Sequence, residues 1–402
     1  MIPLFPTYPA GLIHPVKGEG SLLWDEKGNA YLDFTSGIGV LQLGHVPQEV
    51  KQKVAEQLDK LWHTSNLFVI EPQIQLAKKV AEISGMDLVF FANSGAEANE
   101  AAIKLARRYQ QVIKKQARYQ IITFEQSFHG RTLATLTATG QAKVKEGFQP
   151  LPEGFVSIPF GDIEKLKQTI SAHTAAILLE VVQGEGGIHP ADEKWLVEVE
   201  KLVRKHDLLL IIDEVQTGIG RTGKWFGFQH YPIQPDIITM AKGLGSGFPI
   251  GAMAAREKLK EGFSLGSHGS TFGGNFLATT AGLATIETIE KQNLLAHVVK
   301  MGSYLIEQLQ QEIGDIPQLK EIRGKGLMIG IEWEIPVADL IQIAKDQGLL
   351  LLTAGPHVLR LLPPLNVSQE EIDQAVAILK RSIDQWLKNE KKRASERQTR
   401  SV

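Results

Sequence analysis

Short, mostly apolar runs alternate along this chain with longer amphipathic stretches. The runs at 87–92, 119–124, 175–181, 208–212 and Ile237–Met240 are the pattern of strands buried in a sheet, and 252–255 predicts one more. Between them 192–206 predicts a helix, and after them 276–290, rich in Ala and Thr, predicts another. Pro47 opens a helix with Val50, Val54, Leu58 and Leu61 on its apolar face. Residues 93–100, Asn-Ser-Gly-Ala-Glu-Ala-Asn-Glu, turn from a strand into a helix reaching about Gln110. Residues 21–34 read as a hairpin turning at Lys27-Gly28-Asn29, and residues 1–20 as an extended arm rich in Pro and Gly. Ser36-Gly37-Ile38-Gly39-Val40 is expected to be a loop. Strands alternating with helices make this an α/β chain.

From about Leu294 the glycine clusters thin out, and amphipathic helices alternate with short strands at 327–333, 349–352 and Val358–Leu361. A second, C-terminal domain is placed here. The expected division is an N-terminal arm and hairpin at 1–40 packing with that domain, a large domain at 41–293, a small domain at 294–387, and a basic tail at 388–402. The tail has no periodicity and is expected to be disordered. No internal repeat is visible.

Chemistry concentrates where apolar runs end. Asp213 follows 208–212, and Lys242 stands just past Ile237–Met240. In open α/β sheets ligands bind at the carboxyl ends of strands. An acid and an amine there are either a structural ion pair or a reactive site, and burying both is costly unless something compensates. The glycines that follow (Gly243, Gly245, Gly247, Gly251) allow backbone to approach a bound group. Ser94 and Gly95 open a helix, whose free N–H groups can seat an anion, although an ordinary Ser-Gly turn reads the same way. Phe128 and Arg131 share a Gly-containing loop, as packing or as a binding pair. Glu185 sits among Gly184, Gly186 and Gly187. Arg360, between leucines on a strand, either points outward or serves a site. His45 reads as a helix cap without a catalytic role.

Composition narrows the class. The 402 residues are 43% hydrophobic, enough for a large core, and the formal net charge of -2 gives no sign of a nucleic-acid or membrane partner. With no cysteine, disulfides and thiolate chemistry are excluded. The opening residues lack a basic flank and are broken by Pro3, Pro6 and Pro9, so no signal sequence and a cytoplasmic location are expected. No metal site is expected.

The segments D-E-V-Q-T-G-x-G-R-T-G and P-D-I-I-T-M-A-K-G-L-G-x-G-x-P-I-G resemble the class III aminotransferases, a family of fold-type I enzymes dependent on pyridoxal 5′-phosphate. The resemblance runs from about Tyr8 to about Leu387, with several motifs in the family's order. It implies a large domain with a mostly parallel seven-stranded sheet, a smaller α+β C-terminal domain, and a homodimer with shared active sites. It implies that Lys242 carries the cofactor covalently and later acts as base, and that Asp213 meets the pyridine nitrogen. Gln216 would bind the ring hydroxyl, with Glu214 and Val215 in the same segment. Ser94, Gly95 and Ala96 would hold the phosphate, Phe128 would stack on the ring, and Thr271 would reach the phosphate from the partner. Arg131 and Arg360 would bind substrate carboxylates, with Glu185 releasing Arg360 for 2-oxoglutarate. Ser270 and Ile38 would line the substrate side. The branch resembled is the one using N-acetylornithine. Ornithine, 4-aminobutyrate or succinylornithine as donor, a racemase or aminomutase on the same fold, and a phospho-ligand-binding protein without activity remain open alternatives. Ornithine enzymes carry Tyr where Ile38 aligns, and an Ile offers no hydrogen bond to a free α-amino group.

Overall fold

The apolar runs assemble into one seven-stranded sheet. In chain order its strands are β1 (Leu88–Ala92), β2 (Gln120–Phe124), β3 (Phe155–Ile158), β4 (Thr174–Leu179), β5 (Leu209–Asp213), β6 (Ile237–Met240) and β7 (Gly251–Ala255). They lie in the order β1-β7-β6-β5-β4-β2-β3. Only β7 runs antiparallel to its neighbours; the other pairings are parallel. The computed structural model describes residues 3–8 and 13–400.

Side chains alternate across a strand, so one run feeds two cores. Ile122, Ile177, Leu179, Leu210 and Ile212 join one buried cluster, while Ile121, Ala176, Leu178, Leu209 and Ile211 join another. Helix Gly95–Arg108 lays Ala101, Ala102, Leu105 and Ala106 on the second. Their spacing gives a narrow stripe of small side chains that brings the helix close to the sheet. Because the helix directly follows β1, it starts at the carboxyl end of the sheet, beside Asp213 and Lys242.

A second sheet joins Leu319–Lys325, Met328–Trp333, Val358–Leu361 and Leu352–Thr353, all antiparallel. Against it pack helices Leu294–Ile313 and Gln369–Arg400, with Trp333 and Trp386 meeting edge to face at 5.3 Å. A third sheet is the meander Pro15–Glu19, Leu22–Asp25 and Ala30–Asp33, extended in parallel by Leu349–Leu350. No helix among the described residues is long and apolar enough to cross a membrane.

Several local expectations change. Pro15–Glu19 is a paired strand, not extended arm, because its backbone finds Leu22–Asp25; residues 1, 2 and 9–12 lie outside the described residues. Ser36–Gly39 forms one turn with left-handed backbone at Gly37 (φ 61°) and Ile38 (φ 66°) rather than an open loop. Leu58 and Leu61 are 42% exposed within one chain, and Gln57 is buried in their place. His45 does not cap the following helix; its Nε2 meets Asp33 Oδ2 at 2.8 Å. The segment 349–352 divides between two sheets. The tail continues the last helix to Arg400 instead of losing structure. Its Lys, Glu, Ala, Arg and Gln residues are good helix formers, and a helix already docked through Ile372, Leu379 and Trp386 needs no new nucleus to extend.

Candidate active site

Asp213 is the last residue of β5, and its carboxylate is held from three directions. Oδ2 accepts from Asn99 Nδ2 and His129 Nδ1, both at 2.8 Å, and Oδ1 accepts from the Val215 N–H at 3.0 Å. Asn99 in turn accepts from Thr239 Oγ1 on β6 at 2.7 Å and donates to the His129 carbonyl at 2.8 Å. A buried carboxylate with several donors is fixed in position.

Lys242 leaves β6 with φ +35°, a left-handed conformation that a long side chain rarely adopts. Its side chain faces a cavity of about 390 Å³ lined also by Asp213, Phe128, Arg131, Glu180, Glu185 and Gln216. No hydrogen-bond partner for Nζ occurs among the described residues. Burial, chiefly, holds the ammonium below the usual lysine range; Glu185 and Asp213 oppose this and Arg360 adds to it.

The far wall of the cavity is the start of helix Gly95–Arg108. Ser94 caps it, accepting from the Glu97 N–H at 3.2 Å. Among the described residues the Gly95 and Ala96 N–H groups keep no partner, which is the arrangement that seats an anion. Gly95 is required sterically: a Cβ there would lie 2.8 Å from Val215 Cγ1, and Val215 lines the cavity. Across the mouth, the Arg131 guanidinium stands 5.5 Å from the centre of the Phe128 ring. The neighbouring Thr132 hydroxyl donates to Glu100 Oε1 at 2.5 Å, steadying the Arg131 loop.

Glu185 and Arg360 form a two-point pair: Nη1 to Oε1 is 2.5 Å and Nη2 to Oε2 is 3.2 Å. Gln216 braces both, accepting from Arg360 Nη1 at 3.2 Å and approaching Glu185 Oε1 at 3.4 Å. Burial alone would raise the Glu185 carboxyl, but the Arg360 charge and its hydrogen bonds prevail and hold it below the usual range.

The structure thus brings Ser94, Gly95, Ala96, Phe128, Arg131, Glu185, Asp213, Val215, Gln216 and Lys242 to one cavity, with Arg360 directly behind Glu185. Glu214 does not join them. Its carboxylate turns into the core and accepts from the Gly227 N–H (2.8 Å), the Phe228 N–H (2.7 Å) and the Thr217 hydroxyl (2.5 Å). Consecutive side chains leave a strand end on opposite sides, so only one of the two acids can face the ligand. Ile38 is 45% exposed and off the cavity, which Val40 lines instead. Ser270 binds Asn93 Nδ2 (3.3 Å) and the Gly273 N–H (2.9 Å), and Thr271 is exposed on the surface; neither lines the cavity of its own chain.

The sequence reading missed three polar residues here. Asn99 and His129 fix Asp213. Glu180 lines the cavity and accepts from the Phe128 N–H at 3.1 Å and the Gly184 N–H at 3.3 Å. Burial pushes its carboxyl up to about 7, with His129 opposing and Asp213 adding to the rise. The signal was available: Glu180 follows β4 directly, the kind of strand end that drew attention to Asp213.

Residues 7–383 match the class III aminotransferase family. Relatives include the acetylornithine aminotransferases of Bacillus cereus, 50% identical over 94% of this chain and 97% of that one, and of Bacillus subtilis, 50% identical over 95% and 98%. Among solved structures, an ornithine aminotransferase from Toxoplasma gondii superposes with a TM-score of 0.92 at 30% identity, covering 96% of this chain and 93% of that one. An N-acetylornithine aminotransferase from Stenotrophomonas maltophilia does so with 0.83 at 35% identity, covering 95% and 98%.

Proposed function

Since this chain belongs to the class III aminotransferases, enzymes of pyridoxal 5′-phosphate, we propose that it moves the δ-amino group of N-acetyl-L-ornithine to 2-oxoglutarate. The products are N-acetyl-L-glutamate 5-semialdehyde and L-glutamate, a step of arginine biosynthesis. The residues present suit the cofactor: among the described residues, two unpartnered N–H groups for a phosphate, an amine without a hydrogen-bond partner, and a fixed carboxylate for a ring nitrogen. When bound, the cofactor draws electrons from the carbon that bears the transferred amine.

The chain's own groups do the rest. Gly95 and Ala96 hold the phosphate, with Ser94 shaping the turn. Phe128 and Val215 would cover the ring, Asp213 would keep its nitrogen protonated, and Gln216 would meet its hydroxyl. Lys242 would hold the cofactor, and its Nζ, when free, would take a proton from the substrate carbon. Arg131 binds the donor's α-carboxylate bidentately while Glu185 occupies Arg360. With 2-oxoglutarate, Glu185 swings away, Arg360 takes the α-carboxylate and Arg131 the distal one. The closed Glu185–Arg360 pair carries this reading, because a single pocket that must accept two unlike substrates needs a charge it can hide.

The masked amine of acetylornithine suits a cavity whose rim includes the apolar Val40 and Phe128, whereas a free ornithine ammonium would lose solvation there. The test is kcat/KM for acetylornithine, ornithine and 4-aminobutyrate with the same acceptor. Acetylornithine is expected to lead by at least about tenfold, about 1.4 kcal/mol. Equality or reversal would reject the donor while leaving transamination intact.

The functional unit in this reading is a homodimer in the cytoplasm. Trp62, Leu67, Phe68, Val69 and Phe272 are all more than half exposed in one chain, more apolar surface in one place than a monomer ordinarily shows. Asn66 ties the two segments together through the Ser270 carbonyl (3.1 Å) and the Gly273 carbonyl (2.9 Å). A second copy covering this face would receive Ser270 and Thr271 at its own cavity. Mixing Lys242→Ala with Thr271→Ala subunits should regenerate one intact site per heterodimer; heterodimers without recovered activity would place Thr271 in its own chain's site.

A further inference from the structure

Three strands of the C-terminal sheet set Arg323, Gly330 and Arg360 in one row: Arg323 is opposite Gly330, and Gly330 is opposite Arg360. Residues opposed across antiparallel strands share a face, so both arginines project toward the 184–188 loop. Between them Gly330 leaves a vacancy, and Ile188 fills it. A Cβ on Gly330 would stand 2.9 Å from Ile188 Cβ. Ile188 is fully buried there with Val182, Met328, Val358 and Leu362.

The two arginines hold the loop in different ways. Arg360 grips the Glu185 side chain. Arg323 is nearly buried, and its charge is met within its own sheet, by Glu321 Oε2 at 2.7 Å and Glu332 Oε2 at 2.6 Å. Its remaining donors go to loop backbone: Nε to the Gly187 and Ile188 carbonyls at 3.0 and 2.9 Å, and Nη2 to the Gly187 carbonyl at 2.6 Å. Nη2 also approaches His189 Nε2 at 3.3 Å. A substrate carboxylate can displace Glu185 from Arg360. It cannot displace a backbone carbonyl lodged under a guanidinium that already has two acids.

We propose that Arg323 is a positioning residue for Glu185. It pins the loop backbone to the sheet that carries Arg360, so the Glu185–Arg360 pair is the resting state and opens by rotation of the Glu185 side chain alone. The proposal rests on the two-substrate reading given above. A dicarboxylate that needs Arg360 binds with an affinity reduced by the fraction of molecules in which the pair is open. Freeing the loop dilutes the Glu185 carboxylate around Arg360 and enlarges that fraction. Dicarboxylates then bind more tightly, while the amino donor, which needs Arg360 hidden, is used less well. General damage to the site would weaken both.

The test uses holoenzyme with Arg323→Lys, which keeps the charge and removes the fork. Glutarate, a dicarboxylate with no reacting group, is titrated by calorimetry, and kcat/KM is measured for acetylornithine. The expected result is glutarate binding tightened about threefold with donor kcat/KM lowered about tenfold. Ile188→Ala, which empties the seat over Gly330 and leaves Arg323 in place, should move both quantities in the same two directions, and it decides the matter if Arg323→Lys does not fold. Parental values for both quantities, or both worsening together, would overturn the proposal. Glu185→Gln is the separate check on the underlying reading. If glutarate binds it no more tightly than the parent, the hidden-arginine idea itself fails, whatever Arg323 does.

Discussion

The floor of the cavity and its wall are both built from charge, and they are held in opposite ways. On the floor, Asp213 is locked by Asn99, His129 and the Val215 N–H, with Thr239 locking Asn99 behind it. No substrate can loosen that network, because none of its partners is offered a better one. On the wall, Glu185 and Arg360 hold each other at two points, but Glu185 keeps part of its side chain open to the cavity. A charge that tunes chemistry has to stay fixed through turnover. A charge that chooses between substrates has to be surrendered once per cycle.

Substitutions on the floor should cost most. In the proposed reading Lys242→Ala removes both the attachment point and the base, so it should lower turnover by at least about 10³-fold, and the absorbance of the bound cofactor should show non-covalent binding only. Near-normal turnover would remove Lys242 from the reaction. Asp213→Asn keeps the shape and deletes the charge, and a loss on the order of 10²-fold is expected in kcat/KM for both substrates. A rate within about threefold of the parent would mean the ring nitrogen needs no fixed anion.

The wall should respond asymmetrically. Glu185→Gln should lower donor kcat/KM by about tenfold and leave the 2-oxoglutarate half-reaction within about threefold. Single-turnover absorbance changes with each substrate separate the two, and a matched loss in both would mean the pair is structural. The mildest catalytic effect belongs to Glu214→Gln, expected within about twofold of parental kcat because that side chain never reaches the cavity. Its signature is in stability against pH. Burial, against three hydrogen bonds, pushes the Glu214 carboxyl from 4.5 up to about 7. The folded chain therefore takes up this proton before the unfolded one as pH falls, so the group's added stability is absent above about 7, grows as pH falls toward 4.5 and is fully present below that. Urea unfolding should show the parent gaining about 3 kcal/mol on the variant across that range, and a constant gap would refute the assignment.

Much of this was legible in the sequence, for identifiable reasons. Apolar runs ending in Asp213 and before Lys242 gave the sheet and its reactive edge together, because buried strands tolerate charge only where they end. The Ser94-Gly95 turn was visible as a helix start. What the sequence did not separate was Asp213 from Glu214: adjacent acids have the same composition, and only the phase of the pleat at the strand end sends one to the cavity and the other to the Gly227 and Phe228 N–H groups. Asn99 was hidden because its partners, His129 and Asp213, come from other elements. The basic tail was misjudged because charge pattern reports solvation, while helix continuation depends on the docked turns before it. Leu58 and Leu61 have the helical spacing of a core face, and in a single chain they face outward.

Lys242 at φ +35° has a consequence beyond catalysis. Holding a long side chain in the left-handed region costs of order 1–3 kcal/mol, and burying an amine there adds to it. Selection for stability alone would favour asparagine or glycine at this position, both at home in that conformation. The chain has kept the worse-fitting residue, so its most important side chain is also a place where activity and thermal resistance trade against each other. A lineage released from the need for this chemistry should lose Lys242 early, and melt higher for having lost it.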